Sequence, residues 1–191
     1  MTASLTLPSW MTSALLDQPD EFRTVEERMG LVLELARRHV EEKTGGPFAA
    51  AVFGADSGRL IAVGVNLVMP ASTPVAHAEV VAFTMAGQAL GGFDLSAGGR
   101  TELVSSTEPC AMCLGAVQWS GVARLVCGAT DADARAVGFD EGHKATDWIA
   151  GLELRGVEVV QEVRRVEAAE VLRSYVSGGG HVYNAGGLSD A

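Results

Sequence analysis

The amino-acid sequence predicts an α/β fold, with a mixed central sheet and helices on both of its faces. Segments with apolar residues at helical spacing alternate along the chain with short apolar runs rich in β-branched residues. Alternating elements of this kind pack as helices against a central sheet. The 191 residues are enough for one domain whose core needs no disulfide support.

Local patterns give the individual elements. A helix is predicted from Thr24 to Lys43, where apolar residues recur at intervals of three and four, and the segment from Thr44 to Pro47 ends it. The turn at 56–58 predicts a hairpin. The predicted elements after the first helix are strands at 48–55 and 59–66, a helix at 77–90, a strand at 101–106, a helix at 109–120, a strand at 124–129, short helices at 131–137 and near 148–149, a strand at 157–161 and a closing helix at 166–176.

The chain divides into three predicted parts. Residues 1–20 contain two prolines and little periodicity, so an irregular N-terminal arm is expected there. Residues 21–177 form the predicted domain. Residues 178–191 begin with three glycines and form a C-terminal tail, in which His181 to Asn184 either covers a pocket or frays.

Composition restricts the classes of partner. The chain has 14 basic and 24 acidic residues, for a net charge of −10, and nucleic acids bind through Lys and Arg that displace counterions. No nucleic-acid partner is therefore expected. The uncharged segment from Leu60 to Ala78 contains Asn66 and two prolines, so it is predicted not to span a membrane. Three cysteines and no recognisable secretory signal predict a reducing, cytoplasmic setting.

Two short segments carry the predicted chemistry: His77-Ala78-Glu79, and Pro109-Cys110-Ala111-Met112-Cys113 about thirty residues later. Each lies at the start of a predicted helix. Cys110 and Cys113 share one helix face, and the positive end of a helix lowers the pKa of a thiol. With a neutral His77 they can hold a zinc ion (Zn²⁺) that keeps a fourth position open for water, as catalytic zinc sites do.

Glu79 is the acid that this ligand set leaves over. It follows His77 by two residues, and residues at that spacing do not face the same way on a helix. We therefore expect Glu79 to contact the metal-bound water and to carry protons. The alternative is a closed structural zinc site, which needs a fourth ligand. The candidates are Cys127, His39, His143 and His181, of which Cys127 is predicted to be a small buried hydrophobe and His39 to be solvated.

These segments resemble the H-x-E…P-C-x-x-C signature of the cytidine deaminase superfamily of zinc deaminases. The resemblance implies a three-layer α/β/α fold with a central five-stranded sheet. It also implies hydrolytic deamination of an amino-substituted heterocycle, in which Glu79 passes protons to the ring and to the departing ammonia. The zinc ligands it implies are His77, Cys110 and Cys113.

Within the superfamily the chain is most similar to bacterial guanine deaminases, over about Gly45 to Asn184. The segments that carry the similarity are 45–48, Asn66, 77–80, 108–113 and Gly138-Phe139-Asp140-Glu141. The resemblance implies conversion of guanine to xanthine and ammonia, with Glu141 as a second catalytic carboxylate. It further implies a homodimer whose C-terminal segment closes over the active site and is exchanged between subunits.

The residue types suit a flat aminoheterocycle. A carboxylate at Glu141 can accept hydrogen bonds from N1–H and the 2-amino group of guanine, and the Asn66 amide can donate and accept along one ring edge. Phe48 and Trp119 can flank a ring. Ala78, Phe139, Tyr183 and Asn184 complete the predicted substrate contacts. The ordinary alternatives are core aromatics, a turn-capping Asn66 and solvated acids at 140–141.

Other functions remain open from the sequence. A related substrate is the near alternative: a guanosine-type nucleoside, an amino-s-triazine or a cytosine-type base. A tRNA adenosine deaminase shares the core motif, but its substrate calls for a basic surface that the net charge disfavours. A non-catalytic zinc module has no need of Glu79 beside the ligands.

Overall fold

A computed structural model describes residues 5–16 and 18–184. The helices and strands of this part of the chain are α1 (Trp10–Leu16), α2 (Val25–Glu41), β1 (Ala49–Gly54), β2 (Leu60–Val65), α3 (Ala78–Leu90), β3 (Thr101–Thr107), α4 (Ala111–Ser120), β4 (Arg124–Ala129), α5 (Asp131–Ala136), α6 (Trp148–Glu153), β5 (Glu158–Val160) and α7 (Arg165–Ser177).

The strands form one five-stranded mixed sheet in the order β2-β1-β3-β4-β5. Strand β1 runs antiparallel to β2 and β3, whereas β3, β4 and β5 are parallel to one another. This confirms the predicted mixed sheet. Because β1 runs against its neighbours, the ends of β2 and β3 and the beginning of β1 meet at one edge of the sheet.

Helices cover both faces, which gives the three-layer arrangement. Buried residues of α1, α2 and α7 pack on one face with Phe53, Val104 and Val126. Buried residues of α3, α4 and α6 pack on the other face with Leu103 and Leu125. Successive strand residues point to opposite faces, so neighbours such as Leu103 and Val104 belong to different halves of the core.

Two local features place the helices. Thr24 caps α2 and accepts a hydrogen bond from the Glu27 backbone N–H in a capping box, so the helix begins where the sequence predicts. Gly64 lets α3 lie directly on β2. A Cβ at Gly64 would come within 2.3 Å of the Ala78 carbonyl oxygen and 2.4 Å of the Ala82 nitrogen. The start of α3 is therefore fixed by a contact that only glycine permits.

The N-terminal segment differs from the prediction of an irregular arm. Residues 10–16 form helix α1, and Met11 and Ala14 of that helix are buried against the core. The helix is too short for a periodicity to show in the sequence, and it is stabilised by this packing.

The segment from Leu60 to Ala78 forms strand β2 and then a loop with turns. Over the described ranges, none of the helices combines the length and the hydropathy that crossing a bilayer requires.

Candidate active site

A cavity lined by polar and aromatic side chains opens at the sheet edge where β2 and β3 end and β1 begins. Its volume is about 500 Å³. Its walls come from these strand ends, the starts of α3 and α4, the loop after α5 and the segment 181–184. The lining residues are Phe48, Asn66, Val68, Pro74, His77, Glu79, Thr107, Glu108, Cys110, Ala111, Met112, Phe139, Asp140, Glu141, Gly142, His181, Tyr183 and Asn184.

His77, Cys110 and Cys113 meet in this cavity. His77 and Cys110 are the N-cap residues of α3 and α4, and Cys113 lies in the first turn of α4. Their candidate ligand atoms all lie within 4.8 Å of one another. In a tetrahedral site, Zn–S bonds of about 2.3 Å and Zn–N bonds of about 2.0 Å hold such atoms less than about 4 Å apart. The three side chains therefore fit a zinc ion with little movement.

No further His, Cys, Asp or Glu side chain of residues 5–16 and 18–184 joins this group. Cys127 is buried in β4, as predicted. His39, in contrast to the prediction of a solvated side chain, is fully buried, and both of its ring nitrogens are engaged elsewhere. The described residues thus give three protein ligands, which is the number that catalytic zinc sites use.

The thiols of Cys110 and Cys113 interact directly, and this interaction shifts their pKa values in opposite directions. The pKa of Cys110 is lowered to about 4, first by a hydrogen bond from the Cys113 thiol and then by one from His77. The Sγ atom of Cys110 lies 3.4 Å from Nδ1 of His77. The same bond raises the pKa of Cys113, as expected for two groups that titrate as a pair. Cys110 is therefore a thiolate, the form that binds zinc.

Glu79 is buried in the first turn of α3 and lines the cavity beside the ligands. Its Oε1 atom lies 3.5 Å from the Ser105 hydroxyl, which donates to it. Burial raises the pKa of Glu79, and the negative charge of Cys110 raises it further. A carboxylate with a raised pKa is suited to accept and release protons.

Glu141 is a second buried carboxylate on the cavity wall. Burial raises its pKa to about 8, with additional contributions from Cys110 and Glu79. Its carbonyl oxygen accepts a hydrogen bond of 3.0 Å from the Ala111 N–H, which ties the loop to the start of α4. Gly142, at φ +70°, adopts a left-handed turn directly after it. Glu141 thus lies in the pocket and is not a solvated loop acid.

Three aromatic rings form the apolar part of the wall. Phe48 and Phe139 meet edge to face with centroids 4.8 Å apart, and Tyr183 meets Phe139 at 5.6 Å. The Tyr183 hydroxyl is buried beside the Asn66 side chain, and it makes no hydrogen bond of regular geometry with the described part of the chain. Burial raises the pKa of Tyr183, so its hydroxyl is neutral. A polar atom held this way in a cavity wall is available to a ligand.

Asn66 lines the cavity at the end of β2 and is 2% exposed. Its Oδ1 atom accepts a hydrogen bond of 3.2 Å from the Val68 N–H. The side chain therefore caps the turn and also faces the cavity. A turn-capping role and a cavity-lining position, which the sequence offered as alternatives, are both compatible with this structure.

The start of the tail is attached to the cavity and does not fray. Asn184 accepts a hydrogen bond of 3.0 Å from the Asp140 N–H and donates one of 2.9 Å to the Gly138 carbonyl. Tyr175 donates to the carbonyl of His181 at 2.8 Å. In this single chain the segment covers its own cavity. The rest of the predicted tail lies outside the described residues.

Two residues that were predicted to contact the substrate, Trp119 and Ala78, do not line the cavity with their side chains. Trp119 is 82% exposed and is absent from the cavity wall. It follows Cys110 by nine residues, which at about 1.5 Å per residue places it about 13 Å farther along the helix. Ala78 is buried against β2, and its side chain does not line the cavity. A contact through its backbone stays a prediction.

Lys144 is the main residue that the sequence did not reveal. Its side chain is 9% exposed, and its ammonium nitrogen lies 2.8 Å from Glu108 Oε1, 2.7 Å from Asp131 Oδ1 and 3.2 Å from the Pro109 carbonyl oxygen. Burial alone would lower the pKa of Lys144, but the hydrogen bonds to Asp131 and Glu108 raise it. The lysine therefore stays charged and anchors the segment that leads to Cys110. A single lysine in a polar loop gives no pattern by which to find it.

The profile of the cytidine and deoxycytidylate deaminase zinc-binding region matches residues 23–129. The solved structure of NE0047 in complex with 2,6-diaminopurine is 47% identical, covers 96% of this chain and 97% of that chain, and has a TM-score of 0.89. The structure of the guanine deaminase from Nitrosomonas europaea is 46% identical, covers 93% and 98%, and has a TM-score of 0.86.

A curated relative lies farther away in sequence. The guanine deaminase of Bacillus subtilis (strain 168) is 39% identical over 107 residues, which are 56% of this chain and 65% of that enzyme. The match to the zinc-binding region contains the ligands and Glu79, and it agrees with their geometry in the cavity. The chain therefore belongs to the cytidine and deoxycytidylate deaminase zinc-binding family.

Proposed function

We propose that this protein catalyses the zinc-dependent hydrolytic deamination of guanine to xanthine and ammonia. The observation that carries the proposal is a pair of buried carboxylates, Glu79 and Glu141, in one cavity with the His/Cys/Cys group. The similarity to the Nitrosomonas europaea guanine deaminase over almost all of both chains supports guanine as the substrate. The net charge of −10 supports a small molecule over a nucleic acid.

The proposed roles follow from the positions of the side chains. Zinc held by His77, Cys110 and Cys113 would supply a Lewis acid that makes a water molecule acidic near neutral pH. Glu79 accepts a proton from the attacking water and delivers protons to a ring nitrogen and to the leaving amine. The water oxygen bonds to C2 of guanine, the bond from C2 to the 2-amino nitrogen breaks, and ammonia leaves.

Glu141 and the aromatic wall recognise the ring in this proposal. The Glu141 carboxyl group receives N1–H and the 2-amino group and acts as a second proton carrier, in keeping with its raised pKa. Phe48 and Phe139 offer apolar surface to the purine. Asn66 contacts a polar ring edge, and Tyr183 and Asn184 close the cavity from the tail.

Ammonia release from a panel of compounds tests the proposal. Zinc-loaded protein is expected to act on guanine in preference to guanosine, adenine, cytosine and an amino-s-triazine. Glu79→Gln should lower kcat by about 10²–10⁴-fold. The matched control Glu41→Gln changes an exposed acid of α2 and should leave kcat unchanged. Release from guanosine but not from guanine would overturn the substrate, and full activity of Glu79→Gln would overturn the proton carrier.

We also propose that two copies associate through α4. This helix has no charged residue, and its outer face presents Met112, Gly115, Ala116 and Trp119 at helical spacing. Helices that are apolar on all sides are normally covered. In a chain with a net charge of −10, an uncharged face is one on which two copies meet without charge repulsion.

Sedimentation tests this association. Trp119→Lys should give a monomer at concentrations at which the wild-type protein is a dimer. Val166→Lys is the control, because Val166 is 79% exposed on α7, a helix that packs on the opposite face of the sheet from α4. A monomeric wild-type protein would contradict the proposal.

Exchange of the tail between subunits is a separate part of the proposal. A chain with Glu79→Gln and an intact tail is mixed with a chain that has an intact cavity but ends at Gly180. Each is expected to be nearly inactive alone. If tails are exchanged, the mixed dimer regains activity, because the intact tail covers the intact cavity of its partner. No recovery would refute the exchange.

The proposed setting is the cytoplasm, where the free thiols at Cys110 and Cys113 stay reduced.

A further inference from the structure

His39 is a buried imidazole that the proposed chemistry does not use. It lies in the last turn of α2 with 0% exposure. Its Nδ1 atom is 2.6 Å from the Thr44 hydroxyl, and its Nε2 atom is 2.9 Å from the Asn66 carbonyl oxygen. A carbonyl oxygen only accepts, so Nε2 carries the hydrogen. In the neutral ring, Nδ1 is then the acceptor of the Thr44 hydroxyl proton.

The hydrogen bonds continue beyond Thr44 to the N-terminal helix. The indole Nε1–H of Trp10 donates to the Thr44 hydroxyl oxygen at 3.0 Å. The Thr44 hydroxyl has two acceptors within reach, His39 Nδ1 at 2.6 Å and the His39 carbonyl oxygen at 3.4 Å, and the shorter contact takes the proton. The donors therefore point in one direction, from Trp10 through Thr44 and His39 to Asn66. Hydrogen bonds aligned in this way in a low-dielectric interior strengthen one another.

The series ends on the backbone of a residue that lines the active-site cavity. Asn66 donates from its N–H to the Phe48 carbonyl at 3.0 Å and accepts from His39 at its own carbonyl. Both backbone groups of Asn66 are thus held, and the side chain takes its direction from them. Asn66 follows the last residue of β2, so strand pairing no longer holds its carbonyl group. The hydrogen bond from His39 to that carbonyl oxygen holds it instead.

The contact between His39 and Asn66 requires a glycine at position 45. A Cβ at this position would lie 2.2 Å from Nε2 of His39 and 2.3 Å from the Asn66 carbonyl oxygen. Any other residue would separate the two groups. The glycine at position 45 therefore serves the contact between His39 and Asn66.

We propose that His39 is a positioning residue for Asn66, and that Thr44 and Trp10 hold its ring in the tautomer that donates to Asn66. Helix α1 thereby supports the active site from the far end of the chain. The inference rests on the proposed function in one respect: it takes Asn66 to contact the substrate.

Substitutions that each remove one hydrogen-bonding group between Trp10 and Asn66 test the inference. Thr44→Val deletes the hydroxyl at nearly constant volume and is expected to raise KM for guanine about tenfold. Trp10→Phe deletes the indole N–H and should raise KM about threefold. Thr44→Ser restores the hydroxyl and should return KM to the wild-type value. Thr12→Val is the matched control, because Thr12 is exposed on α1 and makes no such bond. His39→Gln keeps a donor toward Asn66 and is expected to fall between wild type and Thr44→Val.

A double-mutant cycle separates positioning from a purely structural role. In an Asn66→Ala background the Thr44→Val substitution should have no further effect on kcat/KM, because the side chain that it positions is gone. Bound zinc should stay at the wild-type level in all variants. Equal effects of Thr44→Val in both backgrounds, or an unchanged KM for Thr44→Val alone, would overturn the inference. If the wild-type protein deaminates another aminoheterocycle instead of guanine, the proposed function fails, and the same cycle on that compound decides the positioning role.

Discussion

Replacing Lys144 with methionine is expected to leave Glu108, on the cavity wall, without its cation and to leave Asp131 paired with Arg135 alone. Glu108 and Asp131 lie 2.8 Å and 2.7 Å from the ammonium nitrogen. The Lys144 and Glu108 side chains are 9% and 10% exposed, whereas Asp131 is 25% exposed. Methionine has nearly the same volume and keeps the apolar stem packed, so the main change is the loss of charge.

The magnitude follows from this burial. Removing one partner of a buried ion pair costs about 3–5 kcal/mol. Water solvates part of the Asp131 charge, so we expect a loss of about 2–4 kcal/mol in the free energy of unfolding. For a domain of this size, each kcal/mol corresponds to about 2–4 °C, which gives a fall in Tm of about 4–16 °C.

Urea unfolding at two pH values measures the effect. Desolvation alone would raise the pKa of Asp131, but hydrogen bonds from Arg135 and Lys144 hold that pKa below its ordinary value. The stability that Lys144 adds in this way is present above the unfolded pKa of about 3.9 and is lost as the pH falls below it, so the destabilisation should be smaller at pH 3 than at pH 7.5. Arg173→Met is the control, because it breaks an exposed pair with Glu170 that is worth at most about 1 kcal/mol. A Lys144→Met variant as stable as Arg173→Met, with no dependence on pH, would refute the reasoning.

Three further outcomes are expected. Gly64→Ala forces a Cβ to within 2.3 Å of the Ala78 carbonyl oxygen, so unfolding and metal analysis should show lower stability and lower zinc retention. Gly151→Ala is the control, because its Cβ meets no atom within 4 Å, and it should change neither quantity. Burial lowers the pKa of His39, so the stability that the neutral ring contributes is complete above pH of about 6.5 and is lost as the pH falls. Urea unfolding of the wild-type protein should therefore depend on pH below that value, and His39→Gln should lack this dependence. The same pH dependence in both proteins would contradict the prediction. Removal of zinc with a chelator should abolish ammonia release, and added zinc should restore it; activity that persists in metal-free protein would contradict a role for zinc.

The zinc ligands were predictable because helix geometry alone brings Cys110 and Cys113 together. Their spacing of three residues at a helix start gives one face, and the fold adds only the approach of His77. The mixed sheet was predictable for a similar reason, since each strand and helix carries its own period. Glu141 was found through resemblance to a family, because a loop acid has no period.

Residues whose partners are distant in sequence were not predictable. The environment of His39 depends on Asn66, which is 27 residues away, and on Trp10 in a helix too short to show a pattern. Trp119 was placed in the pocket because aromatic residues suit a flat ring, but the length of α4 carries it away from the cavity. Lys144 is held by Glu108 from 36 residues away in sequence. In each case the deciding contact is tertiary, and local sequence does not encode it.

The cavity is divided between rigid and replaceable parts of the chain. The metal-binding side chains and Glu79 lie at the starts of α3 and α4, which are packed against the sheet. Asn66, Glu141 and Tyr183 lie on connecting segments. Because connecting segments tolerate replacement better than packed helices, a lineage with this fold is free to acquire new substrates by changing the segments around Glu141 and Tyr183, whereas Asn66 is held by its bond to His39. The hydrolytic centre would be inherited unaltered through each such change, which makes the scaffold a favourable starting point for directed evolution toward other aminoheterocycles.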